Sequence, residues 1–187
     1  MMAKVNDNPR PINVRLMPSE IASAERMAKV RYNMSRAMGI PDLLHDKTRH
    51  GSEADLPGLK AEIAVAKLLD IPSNISELGP DNGIDMYISN ANTELGVQVK
   101  STHCPSAKYV LTTKHGNNNW DLLIFVRPTD KADVMQVYGW LDAENFQAAV
   151  QPAPEVSKTP PLPHGVPVRF LRNMEELWRG LKSREYA

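Results

Sequence analysis

The chain reads as an α/β domain built on a mixed central β-sheet flanked by helices. Three stretches predict it. Residues 83–100 (GIDMYISNANTELGVQVK) alternate apolar and polar positions on either side of a polar turn, as two paired strands do. Leu122–Val126 is an unbroken apolar run, the pattern of a strand buried on both faces. Residues 57–70 (PGLKAEIAVAKLLD) place Leu59, Ile63, Ala66 and Leu69 at helical spacing, with Val65 and Leu68 widening the stripe. At 187 residues the chain supports one well-filled core. The division expected is an extended arm over 1–18 and a single domain over 19–187, with its centre at about 57–150.

Pro9, Pro11 and Pro18 favour extended backbone in the arm, because proline fixes its own φ and restricts the residue before it. Ser19 is a candidate N-cap for a helix to about Met38, closed by Gly39 and Pro41. Ile21, Ala24, Met27, Met34 and Met38 sit near one side of it, and Arg26, Lys29, Asn33 and Arg36 recur at spacings of three and four on another. Those four could follow a phosphate backbone, although a solvated helix face is the commoner meaning of such a stripe. Residues 39–57 read as a loop; its histidines, His45 and His50, lack partners at metal-ligand spacing. The helix from Pro57 stops before Pro72, and Glu62 lies on or beside its apolar stripe. A carboxylate there needs a cation or a salt-bridge partner.

In the hairpin, a turn centred on Ala91-Asn92 pairs Ile88 with Leu95, Tyr87 with Gly96 and Asp85 with Gln98. Ile84, Met86 and Ile88 are expected on one face, Asp85 and Tyr87 on the other, and Lys100 follows Gln98 on its face. Further strands are expected at Lys108–Thr113, Leu122–Val126 and Val134–Leu141, then a helix from Asp142 to about Val150. The stretch 151–167, with six prolines, reads as a connecting loop, and Val168–Leu171 as a short edge strand. Asn173 and Glu176 have the spacing of a capping box for a last helix over about 173–184.

Charge says little about partners. The 22 basic and 22 acidic residues cancel, although the first fifty residues carry net +4, the next hundred −6 and the remainder +2. The single cysteine, Cys104, excludes an internal disulfide and fits a reducing compartment. No apolar run reaches the roughly 18 residues needed to span a bilayer, and the N-terminus lacks the apolar core of a signal peptide. A cytoplasmic protein without a membrane partner is the expectation.

The constellation with most chemical content is Glu62 with Asp85, Gln98 and Lys100. Two carboxylates, an amide oxygen and the backbone carbonyl of Val99 are ligands a hard divalent cation accepts while keeping some of its waters. A protonated lysine beside them can orient water or stabilise charge on a phosphate. By themselves these residues leave binding and catalysis both open. Zinc is disfavoured by the single cysteine, and Trp120 and Trp140 read as core rather than as base-stacking platforms.

The runs GLKAEIAVAKLLD, GIDMYI and GVQVKSTH, followed by DLLIFV and VYGWL, resemble the PD-(D/E)xK nuclease superfamily, the restriction-endonuclease-like fold, over roughly residues 57–142. The resemblance implies a helix glutamate at Glu62, the strand aspartate at Asp85, the variable middle position at Gln98 and the lysine at Lys100. Ile84 stands where the motif name has proline, and Gln98 replaces an acid, as in Mrr-like enzymes. Implied with it are Mg²⁺ (or Mn²⁺ in its place), held by Glu62, Asp85, Gln98 and the Val99 carbonyl, and DNA as substrate of an endonuclease. His103 and Lys114, like the stripe Arg26, Lys29, Asn33 and Arg36, are the candidate DNA contacts. A homodimer would set two sites against opposite strands. A compact nuclease of this kind would suit a phage or mobile element acting in a host cell. The alternatives are an inactive nucleic-acid-binding or assembly module of the same fold, and an RNA-directed nuclease.

Overall fold

The computed structural model describes residues 9–39, 51–73, 83–90, 93–112, 119–153 and 164–185. His45, His50 and Lys114 lie outside them. The architecture is mixed α/β, as expected: a five-stranded sheet in the order β1-β6-β5-β3-β2, with helices against it. Its strands are β1 (Ile12–Arg15), β2 (Met86–Asn90), β3 (Thr93–Ser101), β5 (Leu122–Pro128) and β6 (Val134–Asp142). β3 and β5 run parallel and the other neighbours antiparallel. A second sheet, in the order β4-β8-β7, joins β4 (Tyr109–Thr112), β7 (Gln151–Pro152) and β8 (His164–Pro167).

Two apolar layers sandwich the main sheet. On one side Val97, Val99, Leu122, Ile124 and Val126 meet Leu59, Ile63 and Ala66 of α2 (Gly51–Leu69), with Met174 and Leu177 of α4 (Met174–Glu185) completing the layer. On the other, Leu123, Phe125 and Leu141 meet Val110 and Val166 of the small sheet and Phe146 of α3 (Ala143–Ala149). The β5 run is thus buried on both faces, which is why it lacks alternation. Burying Phe125 and Phe146, each about 1% exposed, contributes roughly 1.5–3 kcal/mol apiece. Trp120 and Trp140 are buried, and the edge of the Trp120 ring meets Phe146 with centroids 5.4 Å apart.

Several expectations are corrected. The arm contains β1, whose Val14 is buried, because Ile12–Arg15 completes the outer edge of β6. α1 (Pro18–Ala37) is capped at Met17 rather than Ser19: Pro18 takes the first helical position, where no N–H is needed, and the Met17 N–H donates to Glu20 Oε2 at 2.5 Å. α2 begins at Gly51 and runs through Pro57, so 51–57 is helix rather than loop. It ends with Asp70 in the left-handed region (φ 56°), which lets the Ile71 N–H donate to Ala66 O at 3.0 Å. The ends of the Pro-rich stretch are strands β7 and β8, and Val168–Phe170 is a 3₁₀ turn rather than an edge strand. Asn173 caps no helix with its side chain; its Oδ1 accepts the Arg10 N–H at 2.8 Å and ties the arm to α4.

Gly139 is required by packing. A Cβ on Gly139 would drive into the Arg172 carbonyl and stand 3.1 Å from the Leu171 Cβ. The strand is clamped there, since Trp140 and Arg172 exchange backbone hydrogen bonds of 3.1 and 2.9 Å and the Arg172 guanidinium lies 4.4 Å from the Trp140 ring centroid. Gly139→Ala is therefore expected to cost about 1–3 kcal/mol, read as a lower urea midpoint at unchanged slope. An unaltered midpoint would show that the clamp yields freely.

Candidate functional site

The site is built where β2 stops pairing with β3. The register is the expected one, with Ile88 opposite Leu95, Tyr87 opposite Gly96 and Met86 opposite Val97. The Asp85 N–H still donates to Val97 O at 2.8 Å, but beyond it the chain leaves the ladder through Gly83, whose φ is +84°. Ile84 consequently leaves the face shared by Met86 and Ile88. It packs with the opposite apolar layer, its side chain over Gly96, where an added Cβ would meet it at 3.0 Å.

The Asp85 carboxylate takes the place of the missing strand. Its Oδ2 accepts the Val99 N–H at 2.6 Å and also the Gln98 Nε2–H. The same Gln98 nitrogen donates to the Val99 carbonyl at 3.3 Å. Gln98 is buried, and its amide lies against Gly83, the Oε1 3.5 Å from where a Cβ would be, an ordinary contact distance. An aspartate fits this position because one short carboxylate reaches two donors at once.

Gln98 and Lys100 share a face of β3, where their β5 partners are Leu123 and Phe125. Lys100 opens onto a cavity of about 480 Å³ lined also by Thr102, Ser106, Lys108, Tyr109 and Phe125. Cys104 stands at its rim, sharing a 3.3 Å hydrogen bond with Ser106 Oγ. That bond, aided by the charge of Arg127, draws the thiol below its ordinary pKa. β3 ends at Ser101, so His103 lies in the exposed loop beyond the strand.

Glu62 belongs to α2. It is 8% exposed on α2, and its Oε1 pairs with Arg31 Nη1 of α1 at 3.4 Å. The apolar layer formed with α2 contains Val97 and Val99, so strand alternation turns Gln98 and Lys100 toward the other side. Asp85, Gln98, Val99 and Lys100 are thus brought together, and Glu62 approaches from the helical side with a cation already beside it. Arg26, Lys29, Asn33 and Arg36 are exposed on α1, which packs on α2. Two of them are engaged within their own helix, Arg26 Nη2 donating to Ser23 Oγ at 2.9 Å and Arg36 Nε to Tyr32 OH at 3.2 Å.

Arg31 escaped the sequence reading, yet its signal is there. Ala24 and Ala28 are the buried residues of α1, and Arg31 continues their spacing of four and three onto the face that meets α2. Arg31→Met is expected to destabilise the fold by about 1–3 kcal/mol, since it removes the guanidinium from a nearly buried carboxylate. Adding Glu62→Gln should recover most of the loss in a double-mutant cycle, whereas additive losses would show that the two side chains act independently.

Among the described residues no three His, Cys, Asp or Glu side chains come together as a metal site. A cation here would rest on mixed oxygens, and the donor set suits one. Asp85 Oδ2 and the Val99 carbonyl converge on a single point, filled by the Gln98 amide nitrogen. Turned over, the amide would offer Oε1 on that side as a third hard oxygen of the kind Mg²⁺ accepts together with water. No protein-family model, curated protein or solved structure matches the chain.

Proposed function

We propose that the protein is a Mg²⁺-dependent nuclease that hydrolyses DNA phosphodiester bonds at the Asp85–Gln98–Lys100 site. The observation that carries this reading is the convergence of Asp85 Oδ2 and the Val99 carbonyl on the Gln98 amide, with Lys100 next along the same face at an open cavity. Asp85, the Val99 carbonyl and a rotated Gln98 amide would hold the cation, and Glu62 would add charge on release from Arg31. A bound divalent ion supplies charge stabilisation at the phosphate and lowers the pKa of water. Lys100 orients the attacking water and donates to a non-bridging phosphate oxygen as charge builds in the transition state.

The Arg31–Glu62 pair favours a second reading, a nucleic-acid-binding module without turnover, because it neutralises one of the two acids. Divalent-dependent cleavage of linear, circular, single-stranded and branched DNA, with RNA as competitor, separates the readings. Tight binding without cleavage selects the module, and preferred cleavage of RNA replaces the substrate. Equal activity in the wild type and the Lys100→Met variant overturns the proposed site.

A further inference from the structure

A second cavity, of about 460 Å³, adjoins the first and shares Lys108 with it. Its walls include Lys108, Arg127 and Arg169 with Tyr138, Pro11 and Pro167, and among the described residues no acidic one. Arg127 continues the face of β5 that holds Leu123 and Phe125, so it lies two residues, roughly 7 Å, beyond the position opposite Lys100.

Arg127 is in an unusual state. It is 7% exposed, yet among the described residues no carboxylate pairs with it. Its two terminal nitrogens donate to the backbone carbonyls of Ala107 and, at 3.4 Å, Pro105; its guanidinium lies 3.8 Å from the Tyr138 ring centroid. The buried Nε–H finds no acceptor. These contacts fix the group in place and bring no carboxylate to it, a costly arrangement unless an anion comes close. Burial accordingly holds the guanidinium below the usual arginine pKa. Lys108 and Arg169 are exposed, with long stems able to reach a ligand at the cavity mouth.

We propose that this second cavity seats a phosphate of the nucleic-acid strand whose neighbouring phosphate lies at Lys100, with Arg127 supplying the buried countercharge and Lys108 and Arg169 donating directly. The strand would then run along the Lys100 side of the sheet, past the loop that joins β3 to β4, and away from α1. The assignment rests on the nuclease reading for the nature of the ligand.

The test measures binding of a short fluorescent single-stranded oligonucleotide to the full chain in chelator, so that cleavage plays no part. Lys108→Ala and Arg169→Ala, both at exposed positions, should each weaken binding about fivefold and lower the slope of log affinity against log salt by about 0.7. Arg179→Ala, an exposed arginine on α4 that removes the same charge, should leave both readings as they are. Unchanged affinity and slope in Lys108→Ala and Arg169→Ala would overturn the cavity's role. Adenosine monophosphate binding at the cavity with no oligonucleotide binding would overturn the strand assignment in favour of a nucleotide. If both variants lose affinity but the wild type cleaves nothing with Mg²⁺, the phosphate seat stands and the nuclease reading falls.

Discussion

Replacing Lys100 by methionine should lower Mg²⁺-dependent hydrolysis of DNA by at least about 100-fold while leaving the thermal midpoint within a few degrees of the wild type. The magnitude follows from what the ammonium does. A positioned charge aimed at a developing oxyanion in a partly dry site contributes about 2.7–4 kcal/mol to the transition state and little to the ground state. The loss should therefore appear in kcat rather than in KM. Stability should be spared because Lys100 is half-buried, opens on the cavity, and has a stem that methionine copies against Phe125. Asp85→Ala is a poorer probe: it removes the acceptor of the Val99 N–H and one of the two acceptors of the Gln98 amide, at about 1–3 kcal/mol for a buried donor left unsatisfied. Residual cleavage near the wild-type rate in Lys100→Met would remove the lysine from the chemistry.

Gln98→Glu should convert the site from one that tolerates a cation into one that depends on it. Without divalent ions the new carboxylate faces Asp85 Oδ2 and the Val99 carbonyl, where the amide now donates to both. Two hydrogen bonds are exchanged for repulsion, and one carboxyl must take up a proton to remain there. A loss of about 2 kcal/mol in chelator is expected on that ground. Added Mg²⁺ or Mn²⁺ then meets two acids and a carbonyl, and binding to the folded state alone returns about 2.7 kcal/mol when the ion exceeds its Kd a hundredfold. The melting temperature of Gln98→Glu should thus fall below the wild type in chelator and rise steeply with divalent ion, while the wild type moves less. A midpoint indifferent to both ions in Gln98→Glu would mean that no cation sits between Asp85 and Val99.

Much of this frame was legible in the residues because it rests on local patterns. The alternation of residues 83–100 fixed the hairpin register, which set Asp85 beside Gln98. The apolar run Leu122–Val126 announced a strand covered on both sides, and Asp142 does cap α3, its Oδ1 accepting the Asn145 N–H at 2.8 Å. What escaped depends on partners distant in the chain. Ile12–Arg15 becomes a strand only because β6 offers an open edge 120 residues later. His164–Pro167 has weak strand propensity and pairs because β4 lies alongside. Glu62 was recognised as a carboxylate needing a partner, but naming that partner required seeing Ala24, Ala28 and Arg31 as one face. Arg127 had no distinguishing pattern, since its importance comes from burial without a carboxylate.

The carboxylate of Asp85 does two jobs that compete. It closes the open end of the β2–β3 ladder by accepting the Val99 N–H, and in the proposed function it would also be the first anionic oxygen offered to a cation. An ion that drew Oδ2 toward itself would loosen that closure, so loading of the proposed site and fraying of the sheet end would be linked. The Val99 amide proton is thereby a built-in gauge: its hydrogen-exchange rate and chemical shift should follow occupancy of the site, long before any bond in a substrate is broken.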